Sequence, residues 1–155
     1  MDNQEFMEQA LAQAKLALNK NEVPIGAIAV LNNQIISMGH NSMISNLDPT
    51  AHAEVSVIRL AAKKLGTFDL SGCEIYTSCE PCPMCFGAVY WARLEKLYFA
   101  NNKSDAKKIG FDDSFIYDEI NLSHNQRKIP NIQLLRDEAL KAFKDWEEKE
   151  DKIEY

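Results

Sequence analysis

The sequence lacks a long apolar run, a leader-like start and a linker. No stretch approaches the roughly 18 apolar residues that a membrane-spanning helix needs. Residues 1–10 have neither the basic flank nor the apolar centre of a signal peptide. No repeat or low-complexity segment divides the chain, and 46% hydrophobic residues are enough for one core. We therefore expect a single soluble, cytoplasmic domain over residues 1–155.

The sequence also has no excess of basic residues over acidic ones. The chain carries 17 Lys and Arg against 23 Asp and Glu, which gives a formal net charge of -6. Nucleic-acid binders usually attract phosphates with a basic face and release counterions. The composition therefore favours a small-molecule substrate and disfavours nucleic acid, although clusters such as Lys63 and Lys64 leave a local basic patch open.

The cysteines do not form the pattern of a disulfide framework. Three of the four lie within residues 79–85, and Cys73 lies a few residues upstream. In a chain without a secretory signal, clustered cysteines more often serve metal or redox chemistry than cross-linking.

Strand and helix patterns alternate along the first hundred residues. Asp2 and Glu5 are spaced as a capping box for an amphipathic helix, and Asn32-Asn33 suits a hairpin turn between strands at 27–31 and 34–38. The other predicted elements are strands at 74–78, 96–100 and, more weakly, 132–135, and helices over about 52–65, 81–92, 114–120 and from 137 onward. This alternation favours an α/β sheet with helix-covered faces.

Two short motifs supply a candidate metal site. The tripeptide His52–Glu54 lies in the first turn of one predicted helix, and Pro81–Cys85 begins the next. Each motif is unspecific by itself, because a histidine near a helix start is often a cap or core residue and Cys-x-x-Cys also occurs in redox and structural zinc sites. Together they match the signature of zinc-dependent deaminases.

The spacing of the motifs has a physical reason. Cys82 and Cys85 are three residues apart, so both sulfurs face one point at a helix start, where the amide groups favour thiolate. His52 adds a neutral nitrogen, and three protein ligands leave a fourth position for water, as catalytic Zn²⁺ requires. Glu54 is the candidate general base that takes the proton of this water; its alternative role is a carboxylate stabilised by the helix dipole.

Cys79 leaves a second ligand set open. The spacing Cys79-x-x-Cys82-x-x-Cys85 is compatible with three thiolates or with part of an iron-sulfur site. A histidine and a carboxylate base would have no role in such a site. The simpler interpretation of Cys73 and Cys79 is that they are small buried residues beside a strand.

Longer segments around these motifs resemble a known family. Asp48–Glu54 and Thr77–Cys85 resemble the purine branch of the cytidine deaminase superfamily, and three further segments are similar to bacterial guanine deaminases: Tyr90–Arg93, Gly110–Tyr117 and Ile153–Tyr155. The resemblance implies a three-layer α/β/α fold with a central mixed sheet of about five strands. It also implies hydrolysis of guanine to xanthine and ammonia, with zinc hydroxide attacking C2 and Glu54 shuttling protons.

The resemblance also assigns roles outside the zinc motifs. Asn41 corresponds to an amide that bonds the purine, Asp113 to a second carboxylate facing the amino group, and Trp91 to a wall of the ring pocket. Ala53 and Ile25 take substrate-binding positions. Tyr155 corresponds to a C-terminal aromatic that reaches the site from the partner of a homodimer, in which a segment of about 137–155 is exchanged.

Each of these residues has a simpler alternative. Asn41 follows Gly39-His40 and suits a turn, and Asp113 suits a cap for the helix near residue 114. Trp91 suits core packing, and Tyr155, as a chain end, suits a frayed terminus.

Ile25 departs from the guanine deaminase pattern. Guanine deaminases commonly place phenylalanine there, whereas isoleucine resembles the tRNA adenosine deaminases. The smaller side chain removes stacking of about 1 kcal/mol or widens the pocket for a nucleoside or another ring. Guanosine, a related aminopurine or aminotriazine, and adenosine in tRNA therefore stay open as substrates. A non-catalytic zinc module is a third alternative, which the presence of Glu54 beside an open coordination position disfavours.

Overall fold

The computed structural model describes all 155 residues and divides them into two compact units, Met1–Ser114 and Phe115–Tyr155. The N-terminal unit contains α1 (Asn3–Asn19), β1 (Gly26–Leu31), β2 (Gln34–His40), α2 (Met43–Asn46), α3 (Ala53–Leu65), β3 (Cys73–Cys79), α4 (Pro83–Trp91), β4 (Lys96–Asn101) and α5 (Lys103–Lys108). From Ser114 onward follow α6 (Ser114–Asn121), a 3₁₀ turn (His124–Gln126) and α7 (Arg136–Glu148). None of these helices combines the length and apolar character needed to cross a membrane.

The sheet has the strand order β2-β1-β3-β4, with β1 antiparallel to β2 and β3, and β3 parallel to β4. The mixed α/β sheet is confirmed, but the expectation of about five strands is wrong, since there are four. Residues 132–135 form no strand because their apolar side chains are exposed and no neighbouring strand pairs with them. Leu135 also has a positive φ of 51°, which ends an extended run.

Helices cover both faces of the sheet in the N-terminal unit. On one face, residues of β1 and β3 pack with α3 and α4, as shown by the cluster that contains Ala29, Val57, Ile75 and Val89. On the other face, Phe6 of α1 packs with residues of the same two strands, including Tyr76. The expected three-layer arrangement is therefore confirmed.

The first helix meets the first strand at very close range. Its capping box is confirmed, because Glu5 N donates to Asp2 Oδ1 at 2.9 Å and Asp2 N donates to Glu5 Oε2 at 2.7 Å. A Cβ on Gly26 would overlap the backbone of Ala10 and Ala14 in α1. Glycine at the start of β1 thus sets the distance between the helix and the sheet.

Residues 115–155 contain no buried side chain. The connection after α6 is held by local hydrogen bonds: Arg127 Nε donates to the carbonyl of Glu119 at 3.1 Å, and Lys128 N donates to Glu119 Oε2 at 2.8 Å. The helix expected from 137 onward is confirmed as α7, and its apolar side chains Phe143 and Trp146 are exposed.

Candidate metal centre and active site

Three potential metal ligands come together where α3 and α4 begin. His52 is the N-cap of α3, Cys82 is the N-cap of α4, and Cys85 lies in the first turn of α4. Their ligand atoms all lie within 4.8 Å of one another. His52 Nδ1 is 3.5 Å from Cys82 Sγ and 3.4 Å from Cys85 Sγ. The structure thus brings together the three residues that the sequence predicts as zinc ligands.

The spacing of these atoms fits a tetrahedral ion. With zinc bonds of about 2.0–2.3 Å to nitrogen and sulfur, the edges of the coordination tetrahedron measure about 3.5 Å. The two nitrogen-to-sulfur distances match this edge length. The His52 side chain makes no capping hydrogen bond to its own helix, so its ring nitrogen is available for an ion.

The three potential ligands share protons through hydrogen bonds. A divalent cation would take the place of these protons. The hydrogen bond from Cys85, assisted by His52, lowers the pKa of Cys82 to about 4. The hydrogen bond between Cys82 and His52 raises the pKa of His52, and the hydrogen bond between Cys82 and Cys85, together with burial, raises the pKa of Cys85. Binding of Zn²⁺ would displace the protons that these groups hold.

Glu54 lies directly beside the ligand group on the first turn of α3. Its side chain is 3% exposed, and burial raises its pKa above the usual carboxyl value. Thr77 Oγ1 donates to Glu54 Oε1 at 3.0 Å, and Cys85 Sγ lies 3.4 Å from Glu54 Oε2. A buried carboxyl with a raised pKa beside a metal ligand is suited to proton transfer near neutral pH.

Asn41 is held in the short connection between β2 and α2. The Asn41 backbone N–H donates to Ile25 O at 2.9 Å, and Asn41 Oδ1 accepts from Met43 N at 3.0 Å. The following amide, Ser42 N, donates to the carbonyl of Ala51, next to His52. The turn role considered for Asn41 is therefore observed, but it uses the side-chain oxygen alone. Because the side-chain oxygen is committed to the turn, the amide nitrogen is the group of Asn41 that could donate to a ligand.

The remaining first-unit candidates occupy different environments. Ala53 is fully buried as the first residue of α3, and Ile25 is half-buried against the core that contains α3. Burial raises the pKa of Asp113, and this carboxyl lies close enough to Cys82 to feel its charge. The hydrogen bond at the start of α6 is made by the neighbouring residue, since Ser114 N donates to Asp112 Oδ1 at 2.9 Å.

The two aromatic candidates are exposed and lie at the end of α4 and at the end of the chain. Trp91 is the last residue of α4 and is 69% exposed. It lies nine positions after Cys82, a distance of about 13 Å along the helix axis. Tyr155 is the last residue of the C-terminal unit and is 73% exposed.

Cys79 does not belong to the group of potential ligands. It is buried at the end of β3, and burial raises the pKa of its thiol to about 11. The neutral thiol fits the interpretation of Cys79 as a packing residue rather than a third thiolate ligand.

Sequence reasoning missed two polar residues that organise the site. Glu22 is buried, and its carboxylate accepts from the amides of Ser45 at 2.6 Å and Ile44 at 3.2 Å, which fastens the loop after Asn41. No sequence signal connects Glu22 with residues more than twenty positions away. Thr77, in contrast, carries a signal: it places a hydroxyl in an otherwise apolar, core-facing row of β3.

Comparison with known proteins agrees with this site. Residues 1–101 match the model of the cytidine and deoxycytidylate deaminase zinc-binding region. The guanine deaminase of Bacillus subtilis (strain 168) is 44% identical over the full length of both chains. The X-ray structure of guanine deaminase from Bacillus subtilis superposes with a TM-score of 0.97, at 44% identity, over 100% of this chain and 99% of that chain. The tRNA-specific adenosine deaminase of Aquifex aeolicus (strain VF5) is 45% identical over 80% of this chain and 82% of its own length.

Proposed function

The chain belongs to the cytidine and deoxycytidylate deaminase family, and we propose that it hydrolyses guanine to xanthine and ammonia. The observation that carries this proposal is the full-length similarity to a guanine deaminase, which includes the C-terminal unit. The tRNA adenosine deaminase relative is equally identical but covers a smaller part of the chain. Identity alone therefore does not distinguish the two activities, whereas coverage favours guanine.

The cofactor of this reaction is Zn²⁺, which we assign to His52, Cys82 and Cys85. When bound, zinc lowers the pKa of a water molecule toward about 7 and so supplies a nucleophile. The set of two thiolates and one imidazole matches a catalytic site in which one coordination position is left to solvent.

Glu54 is the residue that we propose moves the protons. Its Oε2 lies on the side of Cys85 and is therefore the oxygen nearest the metal group. This oxygen takes one proton from the attacking water and passes it to the ring nitrogen, then takes the second proton from the new C2 hydroxyl and passes it to the leaving amine. The C2–N bond of guanine breaks, the new C2–O bond belongs to xanthine, and the amine leaves as ammonia.

Polar groups of the candidate site can donate hydrogen bonds to guanine and accept hydrogen bonds from it. Because Asn41 Oδ1 is engaged by Met43, the Asn41 side chain offers its Nδ2 donor to an acceptor on the purine. The amide of Ala53 is one of the first N–H groups of α3, which have no partner within the helix. We propose that it donates to the purine, that Asp113 accepts from the exocyclic amine, and that Ile25 packs against the ring.

Deamination of adenosine in tRNA is the second candidate. The residue that favours it is Ile25, which has no aromatic face to stack on a purine base. The net charge of -6 disfavours the binding of tRNA.

A substrate panel separates the candidates. Ammonia release is measured with guanine, guanosine, 2,6-diaminopurine, an aminotriazine, adenine, cytosine and a tRNA anticodon stem, at equal zinc content. We expect guanine to give the highest kcat/KM. Inosine formation in the tRNA stem with no turnover of guanine would reject the proposal.

We also propose a homodimer in which about 137–155 is exchanged and Tyr155 completes the partner's site. Exposed apolar side chains on α4 support an interface there: Met84, Phe86 and Tyr90. The distance of Trp91 from the metal group of its own chain is also compatible with a role at a neighbouring site.

Complementation tests the exchange directly. Two variants of low activity, Glu54→Gln and Tyr155→Ala, are co-expressed with different tags, and the mixed dimer is isolated. If Tyr155 acts across the dimer, one of the two sites in the mixed dimer has both residues intact and regains about half of the wild-type activity. A mixed dimer no more active than its parents, or a monomer in sedimentation experiments, would contradict the exchange.

We place the protein in the cytoplasm. Its four cysteines are free thiols, and two of them are the proposed zinc ligands. A reducing compartment preserves such thiols, whereas an oxidising one would promote disulfides.

A further inference from the structure

A buried hydroxyl interrupts the apolar face of β3. Cys73, Ile75 and Thr77 alternate along the side of the strand that faces α3, and all three are fully buried. Thr77 sits in the middle of the sheet, paired with Ala27 of β1 and Phe99 of β4. A hydroxyl in such a position needs a hydrogen-bond partner, because an unsatisfied buried polar group destabilises the fold.

The partner of this hydroxyl is the proposed proton carrier. Thr77 Oγ1 lies 3.0 Å from Glu54 Oε1 and 3.2 Å from the carbonyl oxygen of Cys79. The other carboxyl oxygen, Oε2, is contacted by Cys85 Sγ at 3.4 Å. The two oxygens of Glu54 are thus distinguished: one faces the strand and the other faces the metal ligands.

We propose that Thr77 is a positioning residue that fixes Oε1 of Glu54 against β3 and thereby keeps Oε2 directed at the reacting atoms. This inference rests on the proposed function. As a zinc ligand, Cys85 is a thiolate and has no proton to donate. Thr77 then remains the side-chain donor to Glu54, beside the backbone N–H of Glu54 itself, so Thr77 fixes which carboxyl oxygen faces β3.

The consequence for catalysis is a loss of turnover rather than of binding. The hydrogen-bond partners of Thr77 Oγ1 are Glu54 and the carbonyl of Cys79 rather than the three zinc ligands, and Thr77 is fully buried. Without its hydroxyl, the carboxyl can rotate about its terminal torsion, which is broad for glutamate. A displacement of about 1 Å at a reacting group costs up to about 100-fold in rate.

The decisive variants are Thr77→Val, which keeps the shape and removes the hydroxyl, and Thr77→Ser, which keeps the hydroxyl. We expect Thr77→Val to bind zinc as the wild type does, with KM for guanine changed less than about twofold and kcat lowered about 10-fold to 100-fold. Thr77→Ser should recover most of kcat. Ser37→Ala is the matched control, because Ser37 Oγ also donates from a buried strand position to α3, at Val57 O, away from the carboxyl.

A crystal structure of zinc-loaded Thr77→Val provides a readout that does not depend on turnover. We expect Glu54 Oε1 to leave its position beside β3 in this variant and to keep it in Thr77→Ser. If Thr77→Val does not fold, Thr77→Ala serves in its place, and failure of both to yield zinc-loaded protein would show a purely structural role and overturn the proposal.

Other outcomes would also overturn the proposed positioning role of Thr77. These are an unchanged kcat in Thr77→Val, a parallel rise in KM, a Thr77→Ser variant as slow as Thr77→Val, or an unmoved Glu54 carboxyl. Wild-type turnover of guanine in the same assay tests the proposed function separately. If the wild type were inactive on guanine, the Glu54 position in the zinc-loaded structures would still decide the role of Thr77.

Discussion

The N-terminal unit packs apolar side chains on both faces of its sheet, whereas the C-terminal unit buries none. The N-terminal unit also contains the whole group of potential zinc ligands together with Glu54. The C-terminal unit exposes large apolar side chains along most of its length, among them Phe115, Ile132, Leu134, Phe143 and Ile153. The reaction chemistry is therefore contained in the first unit, and in our proposal the second contributes to assembly and to completion of the substrate pocket.

Removal of the metal should have the largest effect on activity, because it disables the site in the N-terminal unit. After extensive chelation we expect guanine turnover to fall to background, and Zn²⁺ added back should restore it. The helical signal of α7 should persist in circular dichroism. Full activity in protein shown to be metal-free would contradict the assigned cofactor.

Gly26→Ala should be the most damaging single change to the first fold unit. The added Cβ overlaps the backbone of α1, so either the helix or β1 must move. We expect a loss of about 3 kcal/mol in the free energy of unfolding, measured by urea titration. Gly39→Ala is the control: its Cβ would meet Val57 Cγ2 at 3.4 Å, an ordinary contact, and stability should change by less than about 1 kcal/mol. Equal stabilities would show that the close approach is not required.

Deletion of Ile153–Tyr155 should remove the proposed contribution of the C-terminal unit and leave the N-terminal unit intact. We expect kcat/KM for guanine to fall about tenfold or more through loss of the Tyr155 ring, while zinc content and the unfolding of the first unit stay unchanged. Deletion of Ile153 and Glu154 alone, with Tyr155 retained, distinguishes the ring from the chain length. Unaltered turnover in the shorter chain would remove Tyr155 from the site.

Ile25→Phe should have the smallest effect and should act on substrate choice. An aromatic ring at this half-buried position would add about 1 kcal/mol of stacking, equivalent to about fivefold in kcat/KM for guanine. Ile25→Leu, which keeps the volume and lacks the ring, is the matched control. The ratio of guanine to guanosine turnover is the measurement, and an equal gain in both variants would refute a stacking role.

Local signals predicted the part of the site that is local in sequence. The start of α3 carries His52 and Glu54, and Cys82 and Cys85 share the first turn of α4, so their spacing already defines one face. The left-handed Asn32-Asn33 pair likewise determined the hairpin, with φ values of 49° and 60°.

Long-range contacts explain what the sequence did not predict. Glu22 bonds the amides of α2 across more than twenty residues, and Thr77 reaches Glu54 from a different layer of the fold. The apolar run at 132–135 has the composition of a strand, but a strand requires a paired neighbour, which composition does not reveal.

The central claim is that the first unit deaminates guanine with Glu54 as its proton carrier. The most direct measurement compares guanine turnover by the wild type and Glu54→Gln at equal zinc content, with Glu74→Gln as a control on the opposite face of the sheet, where it pairs with Lys96. We predict zinc retained in all three proteins, turnover unchanged in Glu74→Gln, and a fall of about 100-fold to 10,000-fold in Glu54→Gln. Zinc-loaded Glu54→Gln that releases xanthine as fast as the wild type would contradict the account.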